Sequence, residues 1–226
     1  MSVGELKLSP VLNVIIVGPQ GSGKGTQADL LAKRRGLCHL EMGRELRLAA
    51  AETTETGRLL NQAVNRAGVM APFEIAMPLF LAKVAQTPLT TGIIFDGTPR
   101  RVEEIAYWDA ELPKLGRSFT HLFALRITVA ETMRRLSLRR ICKADGLSFT
   151  LGVDIHTVNE LCPRCGGPLI PRTDDTPRTI KRRLDIYAEE TAPVIERYRD
   201  RGIVHCIDGD RSISDVAANI DAVLGR

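Results

Sequence analysis

The sequence predicts an α/β fold, with a parallel sheet covered by helices on both faces. Three observations carry this. Short apolar runs that end at glycine or just after an acidic residue, beginning with "VLNVIIV" (residues 11–17), alternate with segments of helical period. A strand covered on both faces reads as a continuous apolar run, the mark of a parallel sheet joined by helices. One stretch, residues 141–176, is rich in Gly, Pro and Cys and interrupts the alternation. It reads as an insertion into a single core spanning residues 1–226.

Each element has its own signal. "GKGTQADLLAKRRG" follows the first strand as a helix closed by Gly36, glycine being the residue that most easily takes the left-handed turn past a helix end. "GIIFDG" (92–97) and "HLFALRI" (121–127) are further strands. A long helix is expected from about Thr176 to Arg201. Pro177 sits at its first position, and Ile180, Leu184, Tyr187, Ala188 and Val194 keep helical spacing. "IVHCID" follows the stop at Gly202 as a strand, and "SISDVAANIDAVL" ends the chain as a helix opened by Ser212 and Asp215 in capping-box spacing.

Composition narrows the function. The chain has 226 residues, 44% hydrophobic and 26% charged, with 31 basic and 27 acidic residues giving a net charge of +4. That excess does not call for a nucleic-acid partner. No apolar run approaches the roughly 20 residues that span a bilayer, and "MSVGELKLSP" lacks a basic region followed by an apolar stretch. A cytoplasmic enzyme with no membrane or nucleic-acid partner is the expectation. Arginines cluster at "RRLSLRR" and "RTIKRR"; such clusters are either solvated helix faces or bidentate phosphate donors. Of five cysteines, Cys38 and Cys206 stand alone in apolar surroundings and are expected to be buried thiols. Cys142, Cys162 and Cys165 form a group. The odd count argues against a disulfide scaffold.

"GPQGSGKGTQ" (18–27) carries the first chemistry. Gly18, Gly23 and Lys24 fit the phosphate-loop pattern G-x-x-x-x-G-K-[ST] after a strand, except that Gly25 follows the lysine and the hydroxyl comes one position later, at Thr26. Backbone N–H groups and the helix N-terminus then face phosphate, and Lys24 neutralises it.

With its shifted hydroxyl, this loop resembles that of the adenylate kinase family of nucleoside monophosphate kinases. The likeness continues along the chain. "EMGRELR" (41–47) resembles "STGDLLR", "FDGTPR" (95–100) resembles "LDGFPR", "RRLSLRRIC" (134–142) resembles the helix leading into the family's lid, and "RTDDTPRTIKRRL" (172–184) resembles "RxDDxxxTxxxRL". The resemblance implies a P-loop NTPase-type sheet, acceptor-binding helices at about 42–72 and a lid at 141–176. It implies transfer of the γ-phosphoryl of ATP, with Mg²⁺, to a nucleoside monophosphate, and a monomer. The acceptor is a phosphate oxygen already ionised at neutral pH, so no general base is required.

By the same resemblance Lys24, Arg100, Arg139, Arg172 and Arg183 are catalytic. ATP is held by Gly21, Ser22, Gly23, Lys24, Gly25, Thr26, Arg135, Arg139, Ser148, Phe149 and Arg211. The monophosphate is held by Met42, Gly43, Arg47, Val69, Ala71, Gly97, Arg100, Glu104, Arg172 and Arg183. Asp96 suits an Mg²⁺-bound water, and Asp174 and Asp175 orient the arginines. "CKAD" (142–145) and "CPRC" (162–165) have the spacing of the paired zinc ligands in bacterial lids, which gives Cys142, Asp145, Cys162 and Cys165; His156 is a weaker fourth ligand, and free thiols are the alternative.

The acceptor pocket departs from the family. Met42 replaces Thr, Arg44 replaces Asp, "GVMAPFE" (68–74) replaces "GKLVPDE", Thr98 replaces Phe, and Glu104 stands where the family carries Gln. An ionised Glu only accepts hydrogen bonds. AMP is the expected acceptor, with GMP or a pyrimidine monophosphate as the alternative within the same chemistry, and a catalytically weak nucleotide-binding protein as the alternative of another class.

Overall fold

The computed structural model describes residues 11–64, 71–157, 161–172 and 175–225. Among them the elements run β1 (Asn13–Val17), α1 (Lys24–Arg35), β2 (Cys38–Glu41), α2 (Met42–Ala50), α3 (Glu55–Val64), α4 (Phe73–Gln86), β3 (Ile93–Asp96), α5 (Val102–Glu111), β4 (His121–Arg126) and α6 (Val129–Leu138). They continue with β5 (Arg139–Cys142), β6 (Ser148–Thr150), β7 (Leu169–Pro171), α7 (Pro177–Ile186), α8 (Ala192–Arg199), β8 (Val204–Asp208) and α9 (Ile213–Leu224). No helix among the described residues is long and apolar enough to cross a membrane.

The main sheet is parallel throughout, in the order β2-β3-β1-β4-β8. Side chains alternate faces along a strand, and β1 shows both halves of that rule. Val14 and Ile16 pack with Ala28 and Leu31 of α1 and Val216 and Ile220 of α9. Ile15 and Val17 face the other way, into a core with Phe80 of α4, Trp108 of α5 and Tyr198 of α8. The expected three layers, helix on sheet on helix, are thus present. The second core is aromatic: Phe80, Phe95, Trp108 and Phe119 meet edge to face with ring centroids 4.9–6.4 Å apart, a geometry favoured by the ring quadrupoles.

Helix ends follow the sequence signals. Gly36 takes φ 65° past α1. Ser212 Oγ accepts from the Asp215 backbone N–H at 3.1 Å at the start of α9. Two expectations change, and the insertion gains detail. The helix from Thr176 is not uniform: α7 and α8 are joined through a wide π turn at Tyr187–Thr191. Pro193 is the second residue after it, and a proline ring removes one N–H and crowds the preceding turn. Within the insertion, β5, β6 and β7 make a second, antiparallel sheet in the order β6-β5-β7, starting at Arg139. Finally, Cys206 is exposed and Cys38 is half-buried. Both lie on edge strands of the sheet, β8 and β2, where one flank has no neighbouring strand.

Arg117 is buried and bonded to neutral oxygen acceptors. Its guanidinium donates to Thr87 O, Pro88 O, Thr91 O and Asn13 Oδ1 at 2.8–3.1 Å, which ties the segment before β3 to β1.

Candidate active site

β1 lies between β3 and β4, so the loops after all three open at one edge of the sheet. That carboxyl edge is where ligands bind in parallel α/β sheets. A cleft of about 1960 Å³ opens there. A single ligand pocket typically spans about 300–1000 Å³, so this one has room for two nucleotides.

The phosphate loop forms the floor. In the free loop Lys24 Nζ donates to Gly18 O (2.7 Å) and Pro19 O (2.9 Å). Burial, partly offset by Asp96 and reinforced by Arg100 and Arg139, pulls the ammonium down to about 8. Gly21, Ser22, Gly23, Gly25 and Thr26 line the same floor. Arg135 of α6 reaches over it, donating to Gly21 O (3.3 Å) and Gly209 O (2.8 Å) while Glu131 holds its Nε at 2.7 Å. Ser148, Phe149 and Arg211 line the adjoining wall.

Arg139 and Arg183 converge from opposite sides of the lid junction. Arg139 forms a two-pronged pair with Asp175, Nε to Oδ2 at 2.7 Å and Nη2 to Oδ1 at 2.6 Å. Arg183 stands 3.5 Å from the same carboxylate and donates to Gln20 Oε1 at 3.3 Å. Burial, then the charges of Arg172, Arg139 and Arg100, holds the Arg183 guanidinium well below its ordinary range. Burial does the same to Arg139, Arg172 and Arg47. Arg100, Arg172, Arg47, Gly43, Gly97 and Ala71 line the cleft as well. Cations crowded and desolvated in this way are stabilised by an incoming polyanion. Val69 and Asp174 lie outside the described residues.

Two residues assigned to the acceptor do not line the cleft in this structure. Met42 is buried in the aromatic-side core and does not line the cleft. Glu104, also buried, turns toward the loop after β3: Oε2 accepts from Thr98 Oγ1 (2.9 Å) and from the Arg100 backbone N–H (2.8 Å). Trp108 Nε1 in turn donates to Thr98 Oγ1 at 2.9 Å. Glu104 therefore faces the loop after β3 and is not among the residues that line the cleft. The physical reason is the second substitution: Thr98, where the family carries Phe, supplies a hydroxyl that draws the carboxylate inward. Glu104 supports the loop that presents Arg100.

Asp29 of α1 and His39 and Glu41 of β2 also line the cleft; the four-residue β2 carries no apolar run that would mark it in the sequence. His39 bridges two carboxylates, Nδ1 to Asp29 Oδ1 at 2.8 Å and Nε2 to Asp96 Oδ2 at 3.4 Å. Burial opposes its protonation, but these two partners overcome it and raise the imidazole to about 9.

In the lid, the ligand atoms of Cys142, Asp145, Cys162 and Cys165 all lie within 4.8 Å of one another. Cys142 Sγ is 3.4 Å from Cys165 Sγ, and Cys162 Sγ is 3.6 Å from Asp145 Oδ2. Tetrahedral zinc with bonds of about 2.3 Å to sulfur places ligands roughly 3.8 Å apart, so the set is compatible with structural zinc; His156 is not part of it. The two halves are built alike. In each, the first cysteine N–H donates to the carbonyl five residues on (Cys142 to Leu147, Cys162 to Gly167), and its own carbonyl accepts from a glycine N–H (Gly146, Gly166). Those glycines have φ 71° and 70°, a region that side-chain-bearing residues avoid. The repeat Cys-x-x-ligand-Gly makes "CKADG" as strong a signal as "CPRCG". Asp145 Oδ1 accepts from the Leu147 backbone N–H at 3.0 Å, which holds the carboxyl below its ordinary range and leaves Oδ2 facing the thiols.

The family model described as adenylate kinase matches residues 16–203. The chain belongs to the adenylate kinase family. It is 34% identical to an adenylate kinase of Desulforamulus reducens over 92% of this chain and 98% of that protein. It is also 34% identical to one of Syntrophotalea carbinolica (95% and 99%) and 32% identical to one of Lysinibacillus sphaericus (94% and 98%). The expected fold and enzyme class, a phosphotransferase with a phosphate acceptor, stand with that membership.

Proposed function

We propose that the protein transfers the γ-phosphoryl group of ATP to AMP, giving two ADP. The observation that carries this reading is the convergence of Lys24, Arg100, Arg139, Arg172 and Arg183 on one cleft large enough for two nucleotides. In this scheme the phosphate loop and Arg135 hold ATP, while Arg47 and Arg100 hold the acceptor phosphate. An acceptor oxygen forms its bond to the γ-phosphorus as the bond to the β,γ-bridging oxygen breaks. Arg139, Arg172 and Arg183 neutralise the charge spread over the transferring group. The acceptor is ionised beforehand, so no proton has to move, and catalysis is positioning plus charge stabilisation.

Asp96, buried at the end of β3 beside the phosphate loop, is the group that would hold Mg²⁺ through water. The ion would spread the charge of the ATP phosphates. Cys142, Asp145, Cys162 and Cys165 would hold zinc, which pins the lid. The lid and the acceptor helices act as mobile parts of one core, and the protein works on free nucleotides as a cytoplasmic monomer. Closure excludes the water that would otherwise take the phosphoryl group.

The test is steady-state turnover with Mg²⁺-ATP and a panel of AMP, GMP, CMP and UMP. AMP is expected to exceed every other acceptor at least about tenfold in kcat/KM, since each lost base contact costs about 1–3 kcal/mol. A higher value for GMP or a pyrimidine monophosphate would move the assignment to that base. No turnover with any acceptor would leave a nucleotide-binding protein.

A further inference from the structure

Glu41 places a carboxylate inside the cation cluster, at a position where the family motif "STGDLLR" carries a neutral serine. It is the last residue of β2 and immediately precedes α2, yet its side chain makes no capping bond to that helix. The carboxylate turns instead to Arg47, Oε1 to Nη2 at 3.2 Å. Gly43 makes room for the pair: a Cβ built there would lie 3.1 Å from Arg47 Nη1 and 3.5 Å from Glu41 Oε1. Arg47 Nε is enclosed and has no partner, and the lid residue Gly146 lies against it, with 3.9 Å between a Cβ built there and Nε. The other charges that bear on Arg47 are cations, Arg172 and Arg139. Glu41 also favours the charged forms of Lys24, Arg139 and Arg172 across the cleft.

We propose that Glu41 is a specificity-determining positioning residue that competes with the acceptor's phosphate for the Arg47 guanidinium. This rests on the reading of Arg47 as part of the acceptor site. The carboxylate occupies one prong of the guanidinium. It must yield that prong to an arriving monophosphate, which then sits close to a like charge. Affinity for the acceptor is lowered, and so is affinity for any small phosphate that would otherwise lodge among the cations. A nucleotide retains its base and ribose contacts as compensation; a bare phosphate has none. Discrimination in favour of nucleotides over inorganic phosphate is the consequence.

Glu41→Gln keeps the shape and removes the charge. With AMP varied at saturating ATP, its KM is expected to fall about three- to tenfold, while the KM for ATP changes less than twofold. Inhibition by inorganic phosphate, competitive with AMP, should tighten at least as much. A merely structural role predicts the opposite sign, a raised KM for AMP; an unchanged or raised value overturns the proposal. Calorimetric titration of inorganic phosphate into wild type, Glu41→Gln, Arg47→Ala and the double variant keeps the question separate from turnover. Phosphate should bind more tightly to Glu41→Gln than to wild type, and that gain should vanish in the Arg47→Ala background. The same gain without Arg47 would overturn the competition for its guanidinium even if AMP is the acceptor. A panel in which wild type ignores AMP would overturn the functional reading while leaving the phosphate titration to judge Glu41.

Discussion

The main sheet and the lid hold themselves together by different physics. The sheet is buried on both faces. β1 is buried along its whole length, and two apolar cores lie either side of it. The lid has three antiparallel strands of three or four residues, and its described buried apolar side chains reduce to Ile155 and two of its cysteines, Cys142 and Cys162. Burial of apolar area stabilises the first. The second is too small for that and relies on two matched turns drawn together at four ligand atoms, as small domains commonly do. The arginines proposed to act on the transferring phosphoryl lie where the two regimes meet, between a floor built on the apolar sheet and a roof whose four candidate ligands are gathered at one point.

Changes on each side of the junction should separate these regimes. The largest effect on folding belongs to Trp108→Ala, which opens a cavity in the aromatic core and frees the Thr98 hydroxyl it bonds. A loss of about 3–5 kcal/mol is expected by chemical denaturation. At the junction itself, Lys24→Ala or Arg100→Ala should cut phosphoryl transfer by about 10²–10³-fold with the melting temperature little changed. Near-wild-type turnover of either variant would remove that residue from the mechanism.

In the lid, the protein prepared without chelators should contain one zinc per chain. Cys162→Ser should lose it and become sensitive to proteolysis within residues 143–168, while the cooperative unfolding of the sheet moves less than in Trp108→Ala. Elemental analysis that finds no zinc in folded wild-type protein would reject the site.

The smallest effect concerns His121 and His205, whose rings lie 5.5 Å apart across β4 and β8. Burial, and for His121 the neighbouring His205, holds both imidazoles below their ordinary value. The unfolded chain therefore binds these protons first. Their contribution to stability is complete above about pH 6.5 and is lost as pH falls below it. His121→Phe should flatten the decline in melting temperature between pH 7.5 and 5.5 by a few degrees. An equal decline in both proteins would show that this pair does not titrate as described.

Much of this could be read from the chain because its signals are local. A strand buried on both faces declares itself as an apolar run, as "NVIIV" does, and a phosphate loop or a Cys-x-x-Cys turn is contiguous. β2 escaped because "CHLE" has four residues and no run of its own; its sense comes only from pairing with β3. Glu104 was placed in the cleft by its position in a motif, while its real environment depends on Thr98 six residues earlier and Trp108 four residues later. Arg117 gave no signal because three of its four acceptors are backbone carbonyls, which every sequence has, and the fourth is a distant asparagine amide. Cys206 looked buried from its neighbours, but a strand's place at the sheet edge is a property of topology and not of the strand.

The second sheet also closes on itself. Its first and last strands are adjacent, with Arg140 opposite Pro171 and Cys142 opposite Leu169. The chain thus leaves the core and returns to it at nearly the same point, and everything between hangs from a two-stranded stem. Such a stem makes the lid a replaceable module. Lengthening it, trimming it back to a tight turn, or exchanging the four-ligand tip for one closed by side-chain packing changes nothing in the register of the parallel sheet. Evolution and protein engineers can therefore vary the roof of this cleft at little cost to its foundations.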